Sequence, residues 1–129
     1  IMANGTIAFD TLSTSGQITG TAKSLDTDYV VNGSAKVRCS TNAAGTSIHG
    51  SLNVSSLTDT AAGKQTVNLS SSTADTNYTP ICGVGNKDDG NARETIIRSV
   101  ATSSYLTNLW DGSAFTDAAT SSTAHGDLA

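Results

Sequence analysis

The feature that most constrains this chain is a two-residue alternation of Val, Leu and Ile with small or polar residues. Residues 51–69, SLNVSSLTDTAAGKQTVNL, contain two such runs joined by a polar link around Gly63. Successive side chains of a β-strand point to opposite faces of its sheet, so this period favours strands with one buried face. No convincing helical spacing of three and four residues accompanies it. The sequence therefore predicts an all-β protein.

Short alternating runs separated by turn signals predict the order of the strands. We expect strands over residues 6–12, 16–22, 28–31, 34–40, 47–56, 64–70, 78–84, 93–101, 104–110 and 119–125. Gly, Asn and Asp accept turn conformations, and they separate these runs at Asn32-Gly33, 42–45, 60–63, 88–91 and Asp111-Gly112. This pattern is typical of an antiparallel β-sandwich.

Two details of the strands follow from residue type. Pro80 has no N–H to donate to a ladder, so its strand should lie at a sheet edge or begin one residue later. Within residues 47–56, we expect Ile48, Leu52 and Val54 to share one face with Gly50.

Large apolar side chains are scarce. Hydrophobic residues make up 36% of the chain, aromatic residues 5% and charged residues 14%, while Ser and Thr together account for roughly three residues in ten. Such a chain has little apolar surface with which to offset the conformational entropy of folding. We therefore expect an obligate oligomer whose copies share their interiors. The alternative is a Thr-rich monomeric sandwich.

At 129 residues the chain is expected to form one domain with an extended lead-in. Residues 1–33 are rich in Gly, Ser and Thr and are predicted to be a stalk-like segment that pairs with neighbouring subunits. Residues 34–129 would form the globular head. Because the chain opens Ile-Met, we also expect it to be part of a longer protein.

Charge and hydropathy exclude two classes of partner. The net charge is −4, the sequence pI is about 4.7 and the basic residues are scattered, which disfavours nucleic acid. No run approaches the ~18 apolar residues of a membrane span, so membrane insertion is not expected.

The usual catalytic and metal-binding motifs are missing. His49 and His125 could ligate a metal where copies meet on a symmetry axis, although a surface or axial role is the simpler interpretation. Asp88, Asp89 and Asn91 could hold calcium, but they lack the EF-hand spacing and an exposed turn explains them. We predict no enzyme activity, no cofactor and no metal.

Glu94 is the only glutamate and lies between Arg93 and Arg98, where a surface ion pair is expected. No second acid that would converge with it for glycoside cleavage can be nominated.

Cys39 and Cys82 lie on different predicted strands. Two small buried hydrophobes are the favoured interpretation, and a disulfide is the alternative.

Three long segments resemble the carboxy-terminal region of tail-fibre-like proteins from marine bacteriophages. They are ANGTIAFDTLSTSGQITGTAKSLDTDYVVNGSAKV (3–37), SLNVSSLTDTAAGKQTVNLSSSTADTNYTPICG (51–83) and the closing HGDLA (125–129). The order NVSSLTDT, then G with TVNL, then TNY carries most of the likeness. The chain departs from that family after the Ala-Lys pair, where aromatic residues are replaced by residues 37–40 (VRCS), and at Leu52 and Leu69, which stand where Phe is usual.

The resemblance implies a homotrimeric virion structural protein whose distal surface recognises the host. Its location would be the tail fibre, assembled in the host cytoplasm, and its partners would be itself, other virion tail proteins and a host cell-surface glycan or protein. The alternatives are a purely structural fibre or decoration module and a tailspike-like glycan hydrolase.

Loop side chains and aromatic rings are the candidate receptor contacts. A sugar C–H face can stack on an aromatic ring, although the same rings can plug the end of a sandwich. The candidate contact residues are Asn86, Lys87, Asp88, Asp89, Asn91, Tyr105 and Trp110.

Overall fold

The computed structural model describes residues 17–19, 24–84 and 93–129, and these are mostly β-strand. The elements in chain order are β1 (Gln17–Thr19), β2 (Ser24–Asp26), α1 (Thr27–Gly33), β3 (Ala35–Thr41), β4 (Ile48–Leu52), β5 (Val54–Ala61), β6 (Lys64–Leu69), β7 (Thr79–Val84), β8 (Glu94–Ala101), β9 (Ser104–Trp110) and β10 (Thr120–His125). The predicted all-β class is confirmed.

Eight of these strands form two antiparallel four-stranded sheets. The first sheet has the order β4-β3-β10-β7 and the second sheet has the order β5-β6-β9-β8. Strands β1 and β2 form a separate antiparallel pair. Pro80 lies on β7, at the edge of the first sheet, as its missing N–H predicts.

The core lies between the inner faces of the two sheets, which gives the sandwich its two layers. Burial alternates with the expected two-residue period along β6, and along β9 as far as Thr107. The buried cluster consists of Val37, Cys39, Val67, Leu69, Tyr78, Tyr105 and Ala124. Thr41, Gln65, Thr107, Thr120 and Ser122 are buried as well. Polar side chains, most of them with hydroxyl groups, therefore complete an interior that has few large apolar side chains.

Hydrogen bonds across the sandwich fix the position of one sheet on the other. Tyr105 from β9 reaches Ser122 of β10, with 2.8 Å between the two hydroxyl oxygens. At the paired edges, the Thr95 hydroxyl donates to the carbonyl oxygen of Cys82 at 2.7 Å. The hydroxyl of Tyr78 donates to the carbonyls of Ala101 and Ser104, at 2.8 and 2.9 Å. These bonds satisfy polar groups that burial would otherwise leave unpaired.

The prediction of a strand over residues 28–31 is wrong, because residues 27–33 form helix α1. Thr27 and Asp28 are residue types that favour a helix start, and Gly33 is typical of a helix end. Tyr29 is 74% exposed and Val30 and Val31 are also exposed, so this run has no buried face of the kind that stabilises a strand.

The strand predicted over residues 47–56 is divided between the two sheets. Asn53 has a φ of 54°, and its backbone turns the chain from β4 into β5. Leu52 therefore pairs with Arg38 on the outer face of the first sheet and is 52% exposed. The expectation that it shares one face with Ile48 and Val54 is wrong; those two pack against the core.

The cysteines are both free, as the favoured interpretation predicts. Cys39 and Cys82 each pair with Ser122, one on either side of β10. Two strand spacings of about 4.8 Å separate them, which exceeds the ~7 Å that a disulfide allows between Cα atoms.

Two predictions about the N-terminal part of the chain remain untested. The strand over residues 6–12 lies outside the described residues. The stalk-like role of residues 1–33 stays a prediction, since only β1, β2 and α1 of that segment are described. No helix among the described residues is long and apolar enough to span a bilayer.

Candidate functional site

The outer face of the second sheet carries the only tryptophan of the chain. Alternation along β9 places Tyr105, Thr107 and Leu109 in the core and Trp110 on the opposite face. Trp110 pairs with Glu94 across the β9–β8 ladder, and Glu94 is exposed. An aromatic ring and a carboxylate are thus neighbours on a rigid strand pair.

A tight turn brings a second aromatic ring to Trp110. Phe115 forms a β-bridge with Trp110, and the two rings meet edge-to-face with centroids 5.1 Å apart and planes inclined by 74°. This geometry is favourable for two aromatic quadrupoles. Phe115 and Trp110 are both half-buried, so each keeps part of its surface open to solvent.

Asp111 holds the turn that carries Phe115 back to the strand. Its Oδ1 accepts hydrogen bonds from the backbone N–H of Ala114 at 2.9 Å, from the backbone N–H of Ser113 at 2.9 Å and from the Ser113 hydroxyl at 2.8 Å. These bonds, with a smaller contribution from the charge of Arg93, lower the pKa of Asp111 to about 2. Its carboxylate is therefore fully charged at neutral pH, and the hydrogen bonds within the turn hold it in place.

A second set of contacts places the segment after Phe115 against β6. The Gly63 N–H donates to Asp117 Oδ1 at 2.6 Å, and the Leu109 N–H donates to the Gly63 carbonyl at 2.8 Å. Gly63 has a φ of 65°, and a Cβ there would lie 2.5 Å from the backbone nitrogen of Thr116. Only glycine fits this close approach without displacing the segment.

The next residue, Lys64, completes the site. Its Nζ lies 4.4 Å from the centroid of the Phe115 ring, within the range of a cation–π interaction. Asn108, between Lys64 and Ile96 in the sheet register, is only 3% exposed. Its Oδ1 has no hydrogen-bond partner among the residues that the structure describes. A donor that reached this oxygen would offset a cost of about 1–3 kcal/mol.

We refer to Trp110, Phe115, Lys64 and Glu94 as the Trp110 site. It offers two ring surfaces, an ammonium group and a carboxylate within one patch of the sheet. This combination can bind a sugar ring, because C–H groups stack on the aromatic surface while hydroxyls hydrogen-bond to charged groups.

The predicted contact residues have different outcomes. Trp110 lies at the surface, where a ligand can reach it. Tyr105 is fully buried, so its prediction as a contact is wrong; burial raises the pKa of its hydroxyl above the ordinary value. The other five, Asn86, Lys87, Asp88, Asp89 and Asn91, lie outside the described residues.

The positions of Tyr105 and Trp110 along β9 explain why one is buried and the other lies at the surface. Tyr105 and Trp110 are five positions apart, and an odd separation along one strand places side chains on opposite faces. This signal was available in the sequence. The proximity of Lys64 and Phe115 to Trp110 was not, because it depends on the turn at Asp111 and on sheet register.

The remaining reactive side chains at described positions include His125, Cys39 and Cys82. No three His, Cys, Asp or Glu side chains there lie close enough to hold a metal ion. The Nδ1 of His125 lies 3.0 Å from the carbonyl oxygen of Gly33. Burial raises the pKa of Cys39, and burial together with the nearby Cys39 raises the pKa of Cys82 to about 12. Both thiols are therefore protonated and unreactive at neutral pH.

No family model, no curated protein and no solved structure matches this chain.

Proposed function

We propose that this chain is the terminal domain of a bacteriophage tail fibre that binds a glycan on the host surface through the Trp110 site. The observation that carries the proposal is the edge-to-face pair of Trp110 and Phe115 with Lys64 over the second ring. The resemblance of residues 3–37, 51–83 and 125–129 to tail-fibre-like proteins supports the same role.

Binding at such a site is weak, so the proposal includes several copies of the chain. A homotrimeric fibre presents three Trp110 sites at once, and linked sites raise avidity by orders of magnitude without any new contact. In the virion the domain would also contact other tail proteins. Residues 1–33 would serve as the lead-in through which the three chains are joined.

Two features of the site favour binding over glycan hydrolysis. Cleavage needs two carboxyl groups that converge on one glycosidic bond. Glu94 is at the site, but the carboxylate of Asp111 accepts three hydrogen bonds that hold it within its own turn. A non-enzymatic adhesion domain therefore agrees better with these residues than a tailspike-like hydrolase.

Glycan-array and whole-cell binding of the wild type and Trp110→Ala test the proposal. We expect the variant to lose about tenfold in single-site affinity, which corresponds to about 1.4 kcal/mol, and more in cell binding because avidity multiplies the loss. Leu106→Ala is the matched control, since it removes an outward apolar side chain from the same strand four residues away.

Three results would overturn the proposal. Wild-type binding to no glycan or cell surface would favour a purely structural module. Equal binding by Trp110→Ala and the wild type would place the receptor contact elsewhere. A fall in polysaccharide length during incubation with the wild type would favour the hydrolase.

A further inference from the structure

Asn108 lies on the outer face of the second sheet and is nevertheless buried. It comes two residues before Trp110 on β9, and residues two apart on a strand share a face of the sheet. On that face Leu106 and Trp110 are half-buried, whereas Asn108 is only 3% exposed. Because the core lies on the other side of the strand, Asn108 is part of the Trp110 site rather than of the sandwich interior.

The amide of Asn108 is not fully satisfied. Its Oδ1 is shielded from solvent and has no hydrogen-bond partner in the part of the chain that the structure describes. Such an oxygen loses its bonds to water on folding and gains none in return, and for this reason it is rare in folded proteins. A strand position that keeps an unpaired amide beside two aromatic rings indicates a ligand that supplies the missing donor.

The surroundings of Asn108 are largely apolar. The register places Ile96 on one side of it and Lys64 on the other, each with its Cβ about 5 Å away. Trp110 follows about 7 Å along the strand, and its ring contacts that of Phe115. A ligand group that fits beside Asn108 therefore needs a hydrogen-bond donor for Oδ1 and an apolar part for the neighbouring side chains.

We propose that the Trp110 site binds an N-acetylated amino sugar and that Asn108 recognises its acetamido group. This inference rests on the proposed glycan binding and names the class of sugar. The acetamido N–H donates to Asn108 Oδ1, and the acetamido methyl group packs against Ile96. The C–H face of the sugar ring stacks on Trp110. A hydroxyl at the same carbon offers a donor but no methyl group for the apolar surroundings.

Lys64 is the neighbour that admits the ligand. Because Oδ1 is shielded in the unbound protein, one of the adjacent side chains must move before a donor can reach it. The side chain of Lys64 is long and unbranched, and its ammonium lies over the Phe115 ring at 4.4 Å from the centroid. A cation–π contact at a half-exposed position is weak, so a ligand displaces the ammonium at little cost. The displaced ammonium then donates to a hydroxyl of the sugar.

Matched sugars test the recognition of the acetamido group on the full-length wild type. The pairs are oligosaccharides of N-acetylglucosamine and of glucose with the same length and linkage, and the methyl glycosides of N-acetylgalactosamine and galactose. Trp110 is the only tryptophan, so its fluorescence reports binding directly. We expect the acetamido member of at least one pair to bind about tenfold more tightly, because its partner leaves Oδ1 unpaired.

Asn108→Leu tests the residue. Leu has a similar size and no polar atom, so the variant should unfold at the same or a higher urea concentration than the wild type. It should bind the two members of each pair equally well. Stability that is kept or gained while selectivity is lost is the expected signature of a residue retained for binding. Trp110→Ala should weaken binding of both members, so loss of affinity and loss of selectivity are separate results.

Gln65→Met is the matched control. Gln65 is also 3% exposed, and its Oε1 also has no partner within the described ranges. It pairs with Thr107 and faces the core, on the opposite side of the sheet from Asn108. Removing this second unpaired amide should leave the preference for acetamido sugars unchanged.

The outcomes separate this inference from the proposed function. Equal binding of both members of every pair by the wild type would overturn the recognition of an acetamido group and leave glycan binding at the Trp110 site intact. A preference that survives in Asn108→Leu, or disappears in Gln65→Met, would overturn the role of Asn108. Failure of the wild type to bind any glycan would overturn both proposals.

Discussion

Tyr105 and Ser122 join the two sheets through a hydroxyl–hydroxyl hydrogen bond of 2.8 Å in the centre of the sandwich. The ring of Tyr105 is completely buried, and it meets the ring of Tyr78 edge-to-face with centroids 6.4 Å apart. In a core with few large apolar residues, one tyrosine thus supplies both apolar contact and a link between sheets.

Removing both partners of this bond should cost less than the sum of the two single removals. We expect Tyr105→Phe and Ser122→Ala each to lower the free energy of unfolding by about 1–2 kcal/mol, since each leaves a buried hydroxyl unpaired. The double variant should lose less than the sum of the two. Urea unfolding at one fixed protein concentration measures this cycle. Strict additivity would show that the two hydroxyls do not interact.

The corner between the two sheets depends on Asn53. Its Oδ1 accepts from the Ser71 N–H at 2.7 Å, and its Nδ2 donates to the Ser71 carbonyl at 3.0 Å. Asn53→Ala loses both bonds and also forces a Cβ-bearing residue without a polar side chain to hold a positive φ. We expect it to be less stable than Asn53→Gly by about 1 kcal/mol in urea unfolding.

Asn42 provides the comparison for that measurement. Its side chain also makes two hydrogen bonds to the backbone, both accepted by its amide oxygen, from the N–H groups of Thr46 and Ser47, but its φ is not positive. Glycine should therefore be no better than alanine at position 42. The same rank order at both positions would contradict the role of backbone conformation at Asn53.

Strands in which apolar and polar residues alternate regularly were predictable from the sequence. The observed bounds of β3, β6 and β10 agree with the predicted ones to within about a residue, because burial of alternate residues fixes them. The turn at Asn53 between β4 and β5 was not predictable from the alternation of residue types, because a positive φ at a non-glycine residue depends on the bonds to Ser71. Helix α1 was not predicted because Val30 and Val31 favour strands and outweighed the signals at its ends.

The candidate site was partly predictable for a similar reason. Trp110 was identified by residue type. Its neighbours Phe115 and Lys64 are brought to it by a turn and by strand register, which no local pattern reports.

The two cysteines should be inert in the folded protein. Cys82 has a pKa of about 12 and Cys39 is buried, so alkylation by iodoacetamide at neutral pH should be much slower than for the denatured chain. Mild oxidation should leave both thiols free, since Ser122 separates them in the sheet. Mass spectrometry of the alkylated protein measures both outcomes.

Ser51→Cys gives that experiment a positive control. Ser51 lies directly opposite Cys39 on the neighbouring strand, where the Cα separation is within disulfide range. We expect oxidation of this variant to join Cys39 to the introduced thiol. A native disulfide between Cys39 and Cys82 would contradict the register of the first sheet.

Gly63 should be essential to the Trp110 site. Gly63→Ala places a Cβ 2.5 Å from the backbone nitrogen of Thr116 and 2.7 Å from the carbonyl oxygen of Leu109, so the segment behind Phe115 must move. We expect a loss of about 2–4 kcal/mol in unfolding free energy and a red shift in tryptophan fluorescence. Gly112→Ala, where φ is 97° and no atom lies within 4 Å, should show only the smaller conformational cost. Equal effects of the two variants would exclude the close approach as the cause.

Acid should disrupt the Trp110 site through Asp111. The pKa of this carboxyl is lowered from 3.8 to about 2 by the backbone N–H groups of Ala114 and Ser113. A lowered folded-state pKa means that the contribution of the group to stability is present above pH about 4. It is lost as the pH falls towards about 2. The single tryptophan, Trp110, precedes Asp111 directly, so its fluorescence should change over this range. Asp111→Asn should remove that transition.

Asp75→Asn is the matched control, because Asp75 also has a lowered pKa from bonds to Asn77 but belongs to a different loop. If Asp75→Asn abolished the transition and Asp111→Asn preserved it, the turn at Asp111 would not be what holds Phe115 against Trp110.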